Sequence, residues 1–337
     1  NYKKIIIQKY IPNESEIRDC LSGINILNLS NYTIKQKLGS GTYGDVYLTC
    51  EISTNLKTAS KISKNSFENA KEHYITNFIS ETRILSKLDH PTILKFYGYQ
   101  LRDFDGNSKT TIMTELSTKG SLQKLIDQES HNMAPSQYDY TMKLIILYGI
   151  ASGLAYMHSL NILHLDLKPE NILLGDDLYP LIADFGLSKD LSENGGIKEE
   201  HDTDSPLGTP AYMAPEVLGL SKCSEKSDVF SFSIIMHEVL SGRKIYEFYL
   251  DRLGNLVFEH KNILYFHLYN MLINGVRPEI DKTIPHSLQK FIEECWETDP
   301  KNRPTFKDIV KFFETEAELR NDQIDEAAFE DYIDFIK

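Results

Sequence analysis

The sequence predicts a two-lobed α+β protein, and three observations carry that expectation. Short runs of alternating β-branched and aromatic residues occupy positions 32 to 117, one amphipathic helical pattern interrupts them, and helical patterns fill most of the remaining chain. The length of 337 residues exceeds the roughly 100 to 200 that one hydrophobic core usually serves, so two compact bodies with appendages are expected. The divisions are an N-terminal extension over 1–31, a first lobe over 32–117, a second over 118–313 and an acidic tail over 314–337.

In chain order, the extension carries an apolar stretch at Ile5–Ile7 and then Pro12, Asn13 and Gly23, which predict little structure of its own. Five strands follow, at Tyr32–Leu38, Val46–Ile52, Thr58–Ser63, Ile93–Leu101 and Thr110–Glu115. Between the third and fourth, Phe67, Ala70, Tyr74, Phe78, Leu85 and Leu88 recur at helical spacing and predict one helix over Ser66–Leu88. The run Asp103-Phe-Asp-Gly-Asn107 signals a hairpin. After Lys119-Gly120, helices are predicted at Leu122–Gln128, Tyr138–Ser159, Ser224–Ser241, Ile263–Asn274, Leu288–Glu297 and Phe306–Glu318. A short extended insertion is expected at Asp251–Phe258, turning at Gly254-Asn255. The last 24 residues hold nine acidic side chains, which predicts a solvated helix or frayed tail. The competing reading packs Phe329, Tyr332, Ile333 and Phe335 back on a lobe.

A net charge of −13 argues against nucleic acid as a partner, because modules that bind phosphate backbones cluster Lys and Arg. The longest apolar run, Leu144–Met157, is interrupted by Gly149, Ser152 and Gly153 and falls short of the roughly 20 residues a membrane span needs. No membrane span is expected. Cys20, Cys50, Cys223 and Cys295 lack the paired spacing of a zinc or redox site and read as reduced structural thiols. With no visible secretory signal, the expected location is cytoplasmic.

Gly39-Ser-Gly41-Thr-Tyr-Gly44-Asp-Val46 lies between two predicted strands. Glycines there let backbone N–H groups approach phosphate oxygens, although a plain hairpin is the commoner meaning of such a turn. Lys61 sits in a half-buried strand and needs an anion, since burying an unpaired ammonium is expensive. Glu81, near the apolar face of the predicted helix, can supply one; a surface Lys and an unrelated surface Glu is the bland alternative. Farther on, His164-Leu-Asp166-Leu-Lys168-Pro-Glu-Asn171 and Asp184-Phe-Gly186 put three polar groups, Asp166, Asn171 and Asp184, on loops between short apolar strands. Phosphoryl transfer wants such a set: oxygen ligands for Mg²⁺ and a carboxylate that takes a proton from the attacking hydroxyl.

These residues resemble the eukaryotic protein kinase domain over roughly Tyr32 to Phe313. The likeness continues through Gly208-Thr-Pro-Ala-Tyr-Met-Ala-Pro-Glu216, Ser227-Asp-Val-Phe-Ser-Phe232 and Cys295-Trp-Glu-Thr-Asp-Pro-Lys-Asn-Arg303-Pro-Thr-Phe306. It implies a bilobal α+β fold, with a five-stranded antiparallel N-lobe carrying one main helix, a mostly helical C-lobe, and ATP held between them. The loop of Leu38, Gly39, Ser40, Gly41, Thr42, Tyr43, Gly44 and Val46 would cover the phosphates. Lys61, held by Glu81, would contact the α- and β-phosphates; Asn171 and Asp184 would hold Mg²⁺; Asp166 would be the catalytic base, with Lys168 steadying the γ-phosphoryl. Val46, Ala59 and Leu173 would sandwich the adenine, backbone groups of Glu115 and Ser117 would bond its edge, and the small Thr114 would leave the rear of the pocket open. Glu216 would pair with Arg303, while Leu85, Phe96, His164 and Phe185 would stack as a spine anchored by Asp228, making His164 a core residue.

Lys168 and the Thr209-Pro210 pair are similar to serine/threonine kinases, whereas Ile112–Leu122 and Cys295–Phe306 look like tyrosine kinases. That mixture resembles the tyrosine-kinase-like group. One departure is Leu165, where most kinases carry an Arg that pairs with an activation-loop phosphate. The surrounding loop holds Asp190, Glu193, Glu199, Glu200, Asp202 and Asp204 against Lys189 and Lys198, so activity is expected not to depend on phosphate at Thr203 or Ser205 through this pocket. Ser60, opposite in alternation to Lys61, is expected to find a partner or water on the outer face of the sheet. The expected activity is transfer of the γ-phosphoryl of MgATP to Ser/Thr hydroxyls of proteins, with the acid surplus favouring basic substrates. The alternatives are a pseudokinase scaffold, a dual-specificity kinase and, less well matched, a small-molecule phosphotransferase.

Overall fold

A computed structural model describes residues 13–41, 44–67, 72–194, 201–202, 208–253 and 261–337. Expectations at Ile5–Ile7, Pro12, Thr42, Tyr43, Ala70, Lys198, Glu199, Glu200, Thr203, Asp204, Ser205 and 254–258 lie outside the described residues. The chain divides into two compact units, Asn1–Asp89 with Lys95–Leu116, and His90–Leu94 with Ser117–Lys337.

The first unit opens with helix α1 (Glu14–Cys20), where little structure was expected. A capping box starts it: the Asn13 side chain accepts from the Glu16 N–H, and the Glu16 carboxylate accepts from the Asn13 N–H. Then come β1 (Tyr32–Ser40), β2 (Gly44–Glu51), β3 (Lys57–Ser63), α2 (Glu72–Lys87), β4 (Phe96–Gln100) and β5 (Thr111–Glu115). The five strands form one antiparallel sheet in the order β1-β2-β3-β5-β4. Ser60 finds a partner on its face of the sheet, as expected. It is fully buried, in a hydroxyl cluster with Thr49 at 2.9 Å, which in turn bonds Thr58 at 2.7 Å. The predicted fourth strand also breaks in two, for Ile93 belongs to the second unit, where it bridges Ile182, while Phe96–Gln100 joins β5.

The second unit contains α3 (Leu122–Ser130), α4 (Tyr140–Ser159), β6 (Ile162–Leu163), β7 (Ile172–Leu174), β8 (Pro180–Ile182), β9 (Lys189–Asp190), β10 (His201–Asp202), α5 (Pro215–Leu220), β11 (Lys222–Cys223) and α6 (Glu225–Ser241). It continues with α7 (Ile245–Leu253), α8 (Lys261–Ile273), α9 (His286–Cys295), α10 (Phe306–Thr315) and α11 (Glu326–Ile336). Asp251–Leu253, expected to be extended, ends α7. Helix α4 reaches 20 residues and is apolar enough to cross a membrane by length and composition. Its Leu144, Ile146, Leu147, Ile150 and Leu154 are fully buried, however, and α10, α11 and β8 pack on it. Of the four cysteines, Cys223 and Cys295 are buried and structural, Cys50 is half-buried and Cys20 is exposed.

The acidic tail is not a solvated appendage. Phe329, Tyr332, Ile333 and Ile336 of α11 are buried, and the Phe329 and Tyr332 rings meet Tyr148 of α4 edge-on at 5.8 and 6.4 Å. Gly149 is required there, because a Cβ would collide with the Tyr332 hydroxyl and Pro180. Phe335 alone of the four expected packing residues stays exposed.

Candidate functional site

In the first unit, the β2–β3 register sets Val46 opposite Lys61, and the β3–β5 register sets Ala59 opposite Thr114. Strand alternation puts all four on one face. Lys61 Nζ lies 2.7 Å from Glu81 Oε1 of α2, so the expected pair forms. The glycine loop bends back on itself through Gly41 N–H donating to Gly44 C=O at 2.8 Å, with Leu38 bulged out of the β1–β2 ladder. Ser40 Oγ donates to Asp45 at 2.6 Å, and Lys64 Nζ reaches the Gly41 carbonyl at 2.6 Å. Only Gly44 is demanded by packing, since its Cβ would meet the Ile62 carbonyl at 2.7 Å; Gly39 has nothing within 4 Å and Gly41 only ordinary contact. Among the described residues, a side chain at 39 or 41 would meet nothing closer than 3.7 Å. Glu115 Oε1 accepts from Lys95 N–H at 2.6 Å, and Thr114 Oγ1 donates to the Glu115 carbonyl.

In the second unit, the loop after β6 is built around buried Asp228 at the start of α6. Its carboxylate accepts from the backbone N–H of His164 at 2.9 Å and of Leu165 at 2.8 Å, and from His158 Nε2 at 2.9 Å. Burial alone would raise its pKa, but these hydrogen bonds and the neighbouring imidazoles hold the carboxyl below its ordinary value. The grip holds Leu165 in the left-handed region, at φ 64°, a conformation rare for a branched side chain. His164 is fully buried, its ring 5.5 Å from Phe185. Its Nδ1 accepts from Asp166 N–H, so Nε2 carries the proton and donates to the Ala183 carbonyl at 3.1 Å. That histidine is structural. Leu85 and Phe96 lie in the first unit, on α2 and at the start of β4.

The turn so fixed presents Asp166 within a polar set. Oδ2 accepts from Lys168 Nζ at 2.9 Å and from Asn171 Nδ2 at 3.0 Å, and Oδ1 accepts from the Thr209 hydroxyl at 3.0 Å. Thr209 Oγ1 in turn accepts from Lys168 at 2.7 Å, closing a triangle. Thr209 was visible in the sequence only as a group marker, and His158 carried no signal. Gly208 brings Thr209 in, at φ 113° and with the Leu165 carbonyl 2.7 Å from where a Cβ would sit. The β7–β8 hairpin joins Asn171 to the Asp184 loop: Ile172 pairs with Ile182, and Ala183 N–H donates to the Asn171 carbonyl at 2.9 Å. Asp184 follows at φ 61°. Leu173 pairs with Leu181 in that hairpin, and Ser117 Oγ donates to the Leu174 carbonyl at 2.9 Å.

Among the described residues no cluster of three His, Cys, Asp or Glu forms an all-protein metal cage. The Asn171 amide nitrogen is bonded to Asp166, and the amide oxygen of Asn171 and the Asp184 carboxylate are both hard oxygen donors. Such a pair fits a Mg²⁺ ion that completes its shell with phosphate and water oxygens. Glu216 and Arg303 form the expected buried pair, bidentate at 2.8 and 2.9 Å. Lys189–Asp190 is laddered to Ile162–Leu163, just before Leu165, and His201–Asp202 to Lys222–Cys223.

Residues 32–312 match the protein kinase domain family. The chain is 28% identical over 86% of its length to a probable serine/threonine-protein kinase of Dictyostelium discoideum, of which it covers 20%. It is 32% identical over 84% of its length to the dual specificity protein kinase shkB of the same organism, covering 40% of that protein. Against the serine/threonine-protein kinase STY17 of Arabidopsis thaliana the identity is 28% over 85%, covering 44%. The chain therefore spans less than half the length of each of these relatives. With the kinase family matched across both the sheet unit and most of the helical unit, this chain belongs to the protein kinase domain family.

Proposed function

We propose that the chain transfers the γ-phosphoryl group of ATP to serine and threonine hydroxyls of proteins, as a member of the tyrosine-kinase-like group. The observation that carries this reading is the triangle of Asp166, Lys168 and Thr209, tied to Asn171. Three donors fix the Asp166 carboxylate so that it can orient an acceptor hydroxyl and take its proton. Lys168 holds a positive charge beside that carboxylate, where it would meet the transferring phosphoryl. Asn171 and Asp184 would hold Mg²⁺, which when bound supplies charge neutralisation at the phosphate oxygens. Lys61, kept in place by Glu81, would bind the α- and β-phosphates, and the backbone of the loop from Leu38 to Gly44 would lie over them. Val46, Ala59, Thr114 and Leu173 would contact the adenine, with the backbone of Glu115 and Ser117 on its edge.

Leu165 supports a further part of the reading, that turnover is independent of phosphate at Thr203 and Ser205. Leucine offers no charge-assisted bond, and the two short ladders already hold the described ends of the loop. The charge of −13 favours basic acceptor segments. A dual-specificity reading is kept because shkB carries that name. The test is incubation with γ-labelled ATP, Mg²⁺ and matched peptides bearing Ser, Thr or Tyr, before and after phosphatase treatment. Label on Ser and Thr alone, unchanged by phosphatase, is expected; label on Tyr selects dual specificity. Nucleotide binding without transfer to any peptide would overturn the enzyme reading for a scaffold.

A further inference from the structure

We propose that residues 13–31 brace helix α2, and that Arg83 is thereby a positioning residue for Lys61. The first unit ties this segment down at three places. Asn25–Leu27 adds to the β4 edge as a parallel strand: Tyr99 N–H donates to the Asn25 carbonyl at 3.0 Å, and Leu27 N–H donates to the Tyr99 carbonyl at 2.8 Å. Side chains reinforce the seam, Asn25 Nδ2 donating to the Tyr97 carbonyl at 2.7 Å and Gln100 Nε2 to the Leu27 carbonyl at 2.8 Å. Gly98 is the residue that permits so close an approach, because its Cβ would lie 2.7 Å from the Asn25 carbonyl. Ile17, Leu21 and Leu27 are buried, so an apolar anchor accompanies the polar ties. The third tie reaches α2 itself, where Arg83 Nε donates to the Cys20 carbonyl at 2.9 Å. That carbonyl is the last of α1, with no residue of the helix beyond it to donate to it.

Arg83 follows Glu81 by two residues, and at about 100° per residue the two point to nearly opposite sides of the helix. Helix α2 is thus gripped from both sides, by Lys61 on Glu81 and by the Cys20 carbonyl on Arg83. The Phe78 ring of α2 also meets Tyr99, the residue whose backbone carries the added strand, at 6.1 Å. Releasing Arg83 frees one side of α2 and lets Glu81 drift from Lys61. This inference rests on Lys61 being the phosphate-binding lysine.

The test compares Arg83→Ala and Arg83→Lys in the full chain, alone and with Glu81→Gln. In Arg83→Ala the α2 amides should exchange about three- to tenfold faster while the β2 and β3 amides keep their rates. Affinity for a fluorescent ATP analogue should fall by a similar factor with Glu81 present and stay unchanged in the Glu81→Gln background, and Arg83→Lys should restore most of both. Unaltered α2 exchange, or an equal loss of nucleotide affinity in both backgrounds, would overturn the proposal. A chain that bound no nucleotide would remove the role assigned to Lys61, whereas α2 exchange would still report on the brace.

Discussion

Two ion pairs of almost equal length are built for different ends. Lys61 and Glu81 in the first unit meet at 2.7 Å with 29% and 12% of their side chains exposed, whereas Arg303 and Glu216 in the second meet at 2.8 Å with 0% and 7%. The buried guanidinium also donates to the carbonyls of Glu297, Lys226 and Thr298, and Ser227 donates to Glu216. Every group in that knot is satisfied locally, so the pair holds α5 to the segment before α10 and has nothing left to offer a ligand. The first pair keeps part of both side chains at the surface, as the proposed contact of Lys61 with phosphate requires. Exposure, not distance, separates the pair that maintains the fold from the one proposed to bind.

The largest expected effect on stability comes from Arg303→Ala. It strands the Glu216 carboxylate in the interior and should cost about 3–5 kcal/mol in urea unfolding, or prevent folding altogether. Phe329→Ala comes next, at about 3 kcal/mol, because it opens a cavity between α11 and α4; no change would restore the solvated tail. Glu238 sharpens the comparison, being a fully buried carboxyl for which no ion pair is found among the described residues. Burial pushes its pKa up to about 8, against hydrogen bonds from Ile245 N–H and the Tyr212 hydroxyl. The folded chain therefore keeps this proton up to about pH 8, and the unfolded chain only to its ordinary value of 4.5. Its contribution to stability is full below the unfolded value and lost as pH rises through the folded one. Glu238→Gln, which mimics the protonated acid, should raise the thermal midpoint more at pH 8 than at pH 5; an equal shift at both would contradict the assignment. The smallest stability change belongs to Lys61→Met, under about 1 kcal/mol, together with loss of turnover. If that variant unfolded the chain, the contrast between the two pairs would fail.

The readable parts of the sequence were those whose chemistry is local. The Asp166–Asn171 run and Asp184 lie on short loops flanking the β7–β8 hairpin, so their spacing in sequence was enough to bring them together. Partners far apart in sequence needed more. Lys61 with Glu81 and Glu216 with Arg303 followed from likeness to a family, and His158 on Asp228 had no signal at all. Helix α1 was masked by Pro12 and Gly23 although its Asn13/Glu16 capping box stood in plain view. Helix α11 was read through its charge, yet Phe329, Tyr332, Ile333 and Ile336 recur at helical spacing with the acids on the other face. Alternation gave Ser60 its face of the sheet but not the identity of the partner it bonds, which is Thr49.

Phosphoryl transfer by the intact chain and by Asp166→Asn, measured side by side as initial rates with labelled ATP and a Ser/Thr peptide, tests the account most directly. With Asp166 as the proton acceptor, the variant should retain nucleotide binding and fold while its rate falls by about 10² to 10⁴. Equal rates in the two proteins would contradict it.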